Sequence, residues 1–306
     1  MSISRRRFIS VTAGLALGAS VSPASASPVV WRGIALGAEA RLTIIGLPED
    51  EAQRLIALAV AEIERLEGIF SIYQGESAVT RLNRVGSLRV PPPELLALFS
   101  QVDAVYQATG GLFDPTIQPV WMAYGQHKGT PPLEVLEDSL SRIGWRHVRY
   151  ESNVVELGKP GMALTLNGIA QGFVTDRIAA LLRSRGLRNA VVDIGEISVL
   201  GHKSTDEPWK IGIAEHGDDD AEEYVSLTNQ AIATSSPIGT TFDSATSHII
   251  NPLTGKATSS QWKRVSVVHD LATIADGLST AMVMMSSEDM QLVASKIDGA
   301  TVIAKK

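Results

Sequence analysis

Between Leu164 and Glu196 the chain changes its hydrophobic period twice, and this stretch limits the fold more than any other. The apolar run Leu164-Thr165-Leu166 breaks at Asn167-Gly168. Apolar residues then recur at Ile169, Phe173, Ile178, Leu181 and Leu182, roughly the spacing of a helix face, until Gly186. A second apolar run, Ala190-Val191-Val192-Asp193-Ile194, closes on Gly195-Glu196. A strand, a helix and a strand joined this closely make a βαβ-like or ββα-type unit. Small residues at the strand-to-helix junction let a ligand come near the backbone, and the N-terminus of the helix offers unpaired N–H groups to an anion. A phosphate-bearing ligand fits that junction. The stretch contains neither a G-x-x-x-x-G-K-[ST] loop nor a G-x-G-x-x-G fingerprint, so a purely structural junction stays open as well.

The 306 residues are 44% hydrophobic and 20% charged, enough to bury a sizeable core in one large domain or two coupled ones. Residues 1 to 26 stand apart. Arg5-Arg6-Arg7-Phe8 precedes an uncharged Ala/Gly/Val/Leu stretch and then Ala24-Ser25-Ala26, a small-x-small cleavage pattern. This reads as an export signal of the twin-arginine type, whose pathway carries folded proteins; the mature domain is then 27 to 306. The apolar stretch is too short and too weakly hydrophobic for stable membrane insertion, and the expected location is the periplasm. Removing the three arginines takes the net charge from −6 to −9, which argues against nonspecific nucleic-acid binding. Cysteine is absent, which excludes disulfides and thiolate metal sites.

Along the mature chain, Ala35 to Ile45 alternates as a first strand, and Pro48 with Glu49-Asp50-Glu51 opens a helix that places Leu55, Ala59, Ile63 and Leu66 on one face. Phe70 to Arg84 reads as irregular, with Tyr73 either stacking on a planar ring or half-buried for structural reasons. Pro91-Pro92-Pro93 introduces a helix to Thr109 with Leu95, Leu98, Phe99, Val102 and Val105 on one side. Gly110-Gly111 ends it, and Leu112 to Trp121, with an acid and two prolines, reads as a rigid binding loop or a turn. An exposed excursion at 125 to 132, a helix near Leu133 to Ile143, and strands at 148–150, 154–157 and 163–166 follow. Strands are expected again at 209–213, 225–227, 231–234 and 265–269, with a solvated acidic turn from Gly217 to Glu223. Ser247-His248-Ile249-Ile250 is a hydrophobic strand end closed by an Asn-Pro-x-x-Gly turn, and its His is either structural or functional. From Ile274 a helix carries Asp276 and Thr280 at i and i+4, two hard oxygens on one face. They suit Mg²⁺, which takes few protein ligands; as a helix cap, Asp276 needs no metal at all. Mixed strands and helices give an α+β or α/β class.

In this order the segments resemble the ApbE family, the FAD:protein FMN transferases, over nearly all of the mature chain. Ser71-Ile72-Tyr73 through Ser77 to Leu82-Asn83 is similar to the family's S-T-Y-x-x-x-S-x-x-x-x-L-N block, and Gly110-Gly111-Leu112-Phe113-Asp114 to its G-G-x-F-D loop. Leu166-Asn167-Gly168-Ile169-Ala170-Gln171-Gly172 resembles L-G-G-I-A-K-G, Ser247 to Gly255 resembles S-H-I-I-D-P-x-T-G, and Ala275 to Ala281 resembles A-D-A-L-x-T-A. The resemblance implies an α+β, T-fold-like arrangement of mixed sheets packed with helices and a ligand cleft between two halves. It implies that Leu36, Tyr73, Leu112, Phe113, Asp114, Thr165, Gln171 and Ile250 line an FAD site. It places Mg²⁺ on Asp276, Thr280 and the carbonyl of Gly168, with Ser279 as a neighbour. Thr165 stands where many relatives have Asp, Gln171 where they have Lys and Asn251 where they have Asp; losing one carboxylate and one ammonium together keeps the local charge even.

The implied reaction is transfer of FMN from FAD to a Thr or Ser hydroxyl of a partner flavoprotein, with AMP leaving. His248 is the nominated base, since an imidazole of ordinary pKa near ~6.5 accepts a proton at neutral pH; Asp276 or a metal-bound water is the substitute. The exported, Cys-free chain looks most like the members that serve nitrous-oxide reduction, whose acceptor is an electron-donor membrane protein. Two other readings use the same site: a Mg²⁺-dependent FAD pyrophosphatase giving FMN and AMP, and a noncatalytic periplasmic flavin-binding protein. Asp243-Ser244-Ala245-Thr246 loosely resembles an acceptor peptide.

Overall fold

A computed structural model describes residues 27–214, 221–243 and 245–306. The export signal, most of the acidic turn and Ser244 lie outside the described residues. The chain opens as a hairpin, β1 (Val29–Ala35) and β2 (Ala38–Ile44), paired in full antiparallel register. The single strand expected from Ala35 to Ile45 is therefore corrected. Leu36 and Gly37 form the tip, with φ of 50° and 80°, the left-handed pair that a two-residue hairpin turn requires. Leucine is a poor fit to that geometry, and the side chain of Glu67 holds it by accepting the Leu36 N–H.

Five more strands extend this hairpin: β6 (Ala190–Asp193), β7 (Ile197–Leu200), β10 (Ala231–Ser235), β11 (Arg264–His269) and β12 (Thr301–Lys305). They form one antiparallel sheet in the order β1-β2-β6-β7-β10-β11-β12. Its central strands are buried at nearly every position because both faces are covered. Val192, Ala233 and Val267 point into the main core, with the helices α1 (Glu49–Phe70), α6 (Ala170–Ser184) and α7 (Ala272–Met282). Their neighbours Val191, Ile232 and Val268 point the other way, onto Trp209, Ile211 and Leu227 of the ribbon β8 (Trp209–Ile213) and β9 (Glu223–Leu227). The class is α+β.

Between α1 and α6 runs a helical layer: α2 (Ala78–Val85), α3 (Pro93–Ala108), α4 (Gln118–Gln126) and α5 (Leu133–Ser141), with the small sheet β3 (Ser87–Arg89), β4 (Val148–Glu151) and β5 (Val154–Leu157). The helix α8 (Ser287–Ala294) precedes β12. Two expectations change here. The segment read as irregular contains α2, capped by Ser77 Oγ on the Thr80 N–H at 3.0 Å. The two prolines after Asp114 begin helical turns, a 3-10 turn at Pro115–Ile117 and then α4.

The run 163–166 is no strand either. Asn83 replaces a strand partner, accepting from Leu164 N at 2.7 Å and donating to Leu164 O at 2.8 Å. Thr165 N donates to Pro115 O at 2.8 Å. The residues around Ser247 to Gly255 likewise form a loop with two isolated bridges. That loop is held against α4 and α5 by a separate apolar cluster of Val120, Tyr124, Ile143 and Ile250, with Phe242 stacked on Tyr124 at 5.5 Å.

The helices α6 and α7 cross close to their N-termini, and each caps the other. Asp176 on α6 accepts from Ala272 N at 2.8 Å and Thr273 N at 2.9 Å, while Asp276 on α7 accepts from Gly172 N at 3.0 Å. Four N–H groups at the start of any helix lack carbonyl partners, and these carboxylates supply them at the positive end of each macrodipole. The crossing is tight: a Cβ at Gly172 would lie 2.4 Å from Ala272 O and 2.8 Å from Thr273 Cα. Backbone cannot swing aside as a side-chain tip can. Gly172→Ala should therefore destabilise the protein by about 3 kcal/mol, the upper end of overpacking costs, read from urea denaturation; an unchanged midpoint would mean that the crossing opens freely.

Candidate active site

The crossing sets three oxygen-bearing positions side by side. Gly168 precedes α6, and a Cβ there would lie 3.0 Å from Thr280 Oγ1 and 3.5 Å from the Phe113 ring. Asp276 is one turn before Thr280 on α7 and 3% exposed. All three line a cleft that encloses about 1080 Å³, counting the space open to solvent at its mouth. One wall is Leu112 to Trp121, a second is Thr165 to Gln171, and a third is the end of β10 with α7. The loop bearing His248 and Ile250 closes the fourth side.

Of the residues singled out from the sequence, Leu112, Phe113, Asp114, Thr165, Gly168, Gln171, His248, Ile250, Asp276 and Thr280 meet in this cleft. Leu36 and Tyr73 do not. They line an adjoining depression with Phe70 and Ser71, joined to the cleft through Asn167 and Gln171, which border both. Ser279 is fully buried and turned to Ser235 Oγ at 2.8 Å, so it supports Thr280 from behind.

Several of these side chains have structural duties. Asp114 Oδ1 accepts from Thr116 N at 2.8 Å and Thr116 Oγ1 at 2.5 Å, and its Oδ2 accepts from Trp145 N at 3.0 Å. It fixes the Gly-Gly-x-Phe-Asp turn, and Phe113 with it. Asn251 Oδ1 accepts from Leu253 N at 2.8 Å, a turn that Asp forms equally well, so this departure from the family's pattern is neutral. His248 is oriented by its Nδ1, 2.7 Å from the Thr240 carbonyl. A carbonyl only accepts, so Nδ1 carries the proton and the neutral ring has its basic lone pair at Nε2. Asp276, read from the sequence as ligand or cap, caps α6 rather than its own helix.

Thr165 and Gln171 share the cleft, but Thr165 Oγ1 takes the Asn167 N–H at 3.4 Å, and no hydrogen bond joins Thr165 to Gln171 among the described residues. Gln171 Nε2 is buried without any partner there, pressed against Gly195, whose φ of 88° and missing Cβ make room for it. A buried donor left in this state costs about 1–3 kcal/mol, a sign that a ligand acceptor completes it.

The deciding comparison is with known sequences. The model of the ApbE family matches residues 36–304. The chain belongs to the ApbE family. Among curated relatives, the FAD:protein FMN transferase of Chlamydia pneumoniae is 28% identical over 73% of this chain and 74% of its own length. That of Klebsiella pneumoniae is 25% identical over 89% and 82%. The solved flavin transferase ApbE from Vibrio cholerae superposes with a TM-score of 0.78, covering 92% of this chain and 98% of that one at 24% identity. The Pseudomonas stutzeri flavinyl transferase ApbE, in its apo form, gives 0.78 at 22% identity.

The cleft also holds residues that motif reasoning passed over. Glu196, 8% exposed, lines it, as do Thr234, Ser235 and Ser236 at the end of β10. The signals were present in Asp193-Ile194-Gly195-Glu196 and Ser235-Ser236-Pro237, acids and hydroxyls at strand ends. For a divalent ion the donor set fits: one carboxylate, one hydroxyl and adjacent main chain are hard oxygens. No group of three His, Cys, Asp or Glu able to hold a metal exists among the described residues, so thiolate or multi-imidazole sites have no basis there.

Burial sets the electrostatics. It raises Asp276 to about 7, with the Gly172 N–H opposing and Asp176 adding to the rise. Glu196 is raised by burial and then by Asp276. Asp193 is raised to about 7 by burial, against the Gly195 N–H and Arg41. The folded state therefore binds these protons more tightly than the unfolded chain, whose carboxyls titrate near ~4. Stability falls as pH rises from about 4 through about 7. Carboxyls held low, such as Glu94 and Asp243, lose their stabilisation below that window. Metal-free protein should thus melt highest near pH ~5 and progressively lower toward pH ~8, as followed by calorimetry; a melting temperature that climbs across this range would show these acids to be ionised and well solvated.

Proposed function

We propose that this protein transfers FMN from FAD to a Thr or Ser hydroxyl of a partner protein and releases AMP. One observation carries the reading. The cleft is lined by three carboxylates, one imidazole and no Lys or Arg, yet it presents the positive end of α6 and an unpaired amide donor. Such a wall offers a bare pyrophosphate no fixed cation, and its acids can ionise against a divalent cation that arrives with the diphosphate. Family membership and the flavin transferases among the relatives support the same substrate.

In this reading the isoalloxazine or adenine ring rests against Phe113 or in the depression at Leu36 and Tyr73, and the diphosphate crosses the start of α6. Asp276, Thr280 and the main chain of Gly168 would hold Mg²⁺, which would supply charge neutralisation for a pyrophosphate and its leaving group. His248 Nε2 removes the proton of the acceptor hydroxyl. That oxygen bonds to the FMN-side phosphorus as the P–O bond to AMP breaks. Thr240 keeps the ring in the required tautomer throughout.

The acceptor is taken to be a periplasm-facing flavoprotein, of the kind that feeds electrons to nitrous-oxide reductase. Arg5-Arg6-Arg7 and Ala24-Ser25-Ala26 support export by the twin-arginine pathway. No helix of the described residues is long and apolar enough to cross a membrane.

Incubating mature protein with FAD, Mg²⁺ and candidate acceptors should give in-gel flavin fluorescence on the acceptor. Release of FMN and AMP without any acceptor would instead mark a pyrophosphatase, and inert FAD a carrier. His248→Ala should keep FAD binding and lower transfer by about 10²–10⁴, the usual contribution of a positioned base; transfer at the wild-type rate would remove His248 from that role.

A further inference from the structure

Glu196 is given no individual role in the scheme above, and its setting is unusual for a buried acid. It is 8% exposed, its carboxylate Oε2 receives one N–H, from Thr234 at 3.3 Å, and no Lys, Arg or His pairs with it among the described residues. Asp276, facing the same cleft at 3% exposure, lacks a cationic partner as well. Removing two carboxylates from water without a counter-charge costs several kcal/mol each by the usual reckoning. Such acids either stay protonated or ionise against a positive charge brought from outside.

We infer that Glu196 is a second carboxylate of the cation site, holding a divalent ion together with Asp276 and Thr280. The inference rests on the cation reading of the previous section. Three observations converge on it. The backbone of Glu196 is fixed by Thr175 Oγ1, which donates to its carbonyl at 3.1 Å, and by Ile194 N at 3.1 Å. Its carboxylate is tied to Thr234, and the next residue, Ser235, lies 3.4 Å from Thr280 Oγ1, so short steps connect Glu196 to the proposed ligand set. The third is independent of the acids. Gln171 Nε2, on a side chain 4% exposed, lines the same cleft without a partner and packs on Gly195, directly before Glu196. A cation between the acids and a ligand oxygen on that amide complete both deficits, as a metal-bound phosphate does.

Mn²⁺ serves as the probe. Binding of Mn²⁺ to the mature protein is titrated by the electron paramagnetic resonance of the free ion, with and without ADP as a diphosphate that donates no FMN. Glu196→Gln should weaken Mn²⁺ binding ten-fold or more in both conditions, Glu196→Asp several-fold, and Asp276→Asn at least as much as Glu196→Gln. Glu196→Gln should also gain less in melting temperature than the wild type on adding Mn²⁺; a merely structural Glu would leave that gain unchanged. Wild-type affinity in Glu196→Gln, with loss in Asp276→Asn, overturns the inference and leaves the proposed function standing. If Glu196→Gln does not fold, Glu196→Asp decides: wild-type affinity there overturns it too. No Mn²⁺ bound by the wild type in either condition overturns both readings.

Discussion

The reciprocal capping of α6 and α7 is the constraint on which the rest of the molecule turns. Two helices meet near their N-termini, an arrangement that brings two positive macrodipole ends together and leaves several N–H groups without carbonyls. Asp176 and Asp276 answer both problems at once, each carboxylate lying on the other helix's first turn. The geometry works only because Gly172 has no side chain to hold the backbones apart. Around it the sheet and α1 pack as an apolar shell, with Phe173 edge-on to Phe70 and Ile169 and Ile178 fully buried.

The same contact builds the cleft. Bringing the start of α6 against α7 sets Gly168 beside Thr280, and the hydrogen bond that caps α6 also fixes the Asp276 carboxylate through its Oδ2. A cap on the helix surface contributes stability at little cost. Here the carboxylate is buried beside Glu196, and its raised pKa is the trace of an unfavourable environment retained in the fold. Strain retained at one place and offset elsewhere is what a binding site requires. The Leu36 hairpin tip repeats the pattern, a leucine in a left-handed turn whose side chain borders the adjoining depression.

Much of the scaffold was legible because one period dominates each long element. Leu55, Ala59, Ile63 and Leu66 predict α1, Leu95 to Val105 predict α3, and Gly186 ends the turn after α6, all as observed. What escaped was decided by partners far along the chain. Val29 to Ala35 pairs with β2 although its alternation is blurred by Val30 and Ile34, apolar residues on the exposed side. Leu164 to Leu166 has a strand's composition, but the Asn83 amide takes its hydrogen bonds. β12 is an edge strand with only partial burial and thus a weak alternation. Within the site, residues in short motifs could be named one by one. Glu196 lay in a readable strand-end motif, but its burial without a cationic partner is set by packing and could not be read there.

Gln171 shows how such a site can shift its charge without shifting its shape. Where the family's pattern has an ammonium, this chain has a neutral amide, and the matching acid is replaced by Thr165. The two side chains form no hydrogen bond with each other, so the exchange conserves net charge in the cleft rather than a contact. The consequence falls on the remaining acids. An ammonium at position 171 could neutralise Glu196 or a ligand phosphate directly, whereas an amide does neither and contributes only a dipole. On the proposed function, the positive charge that a diphosphate needs then comes from a divalent ion and the helix terminus. The cleft retains no fixed cation of its own among the lining residues, so the proposed function makes a metal indispensable in this chain.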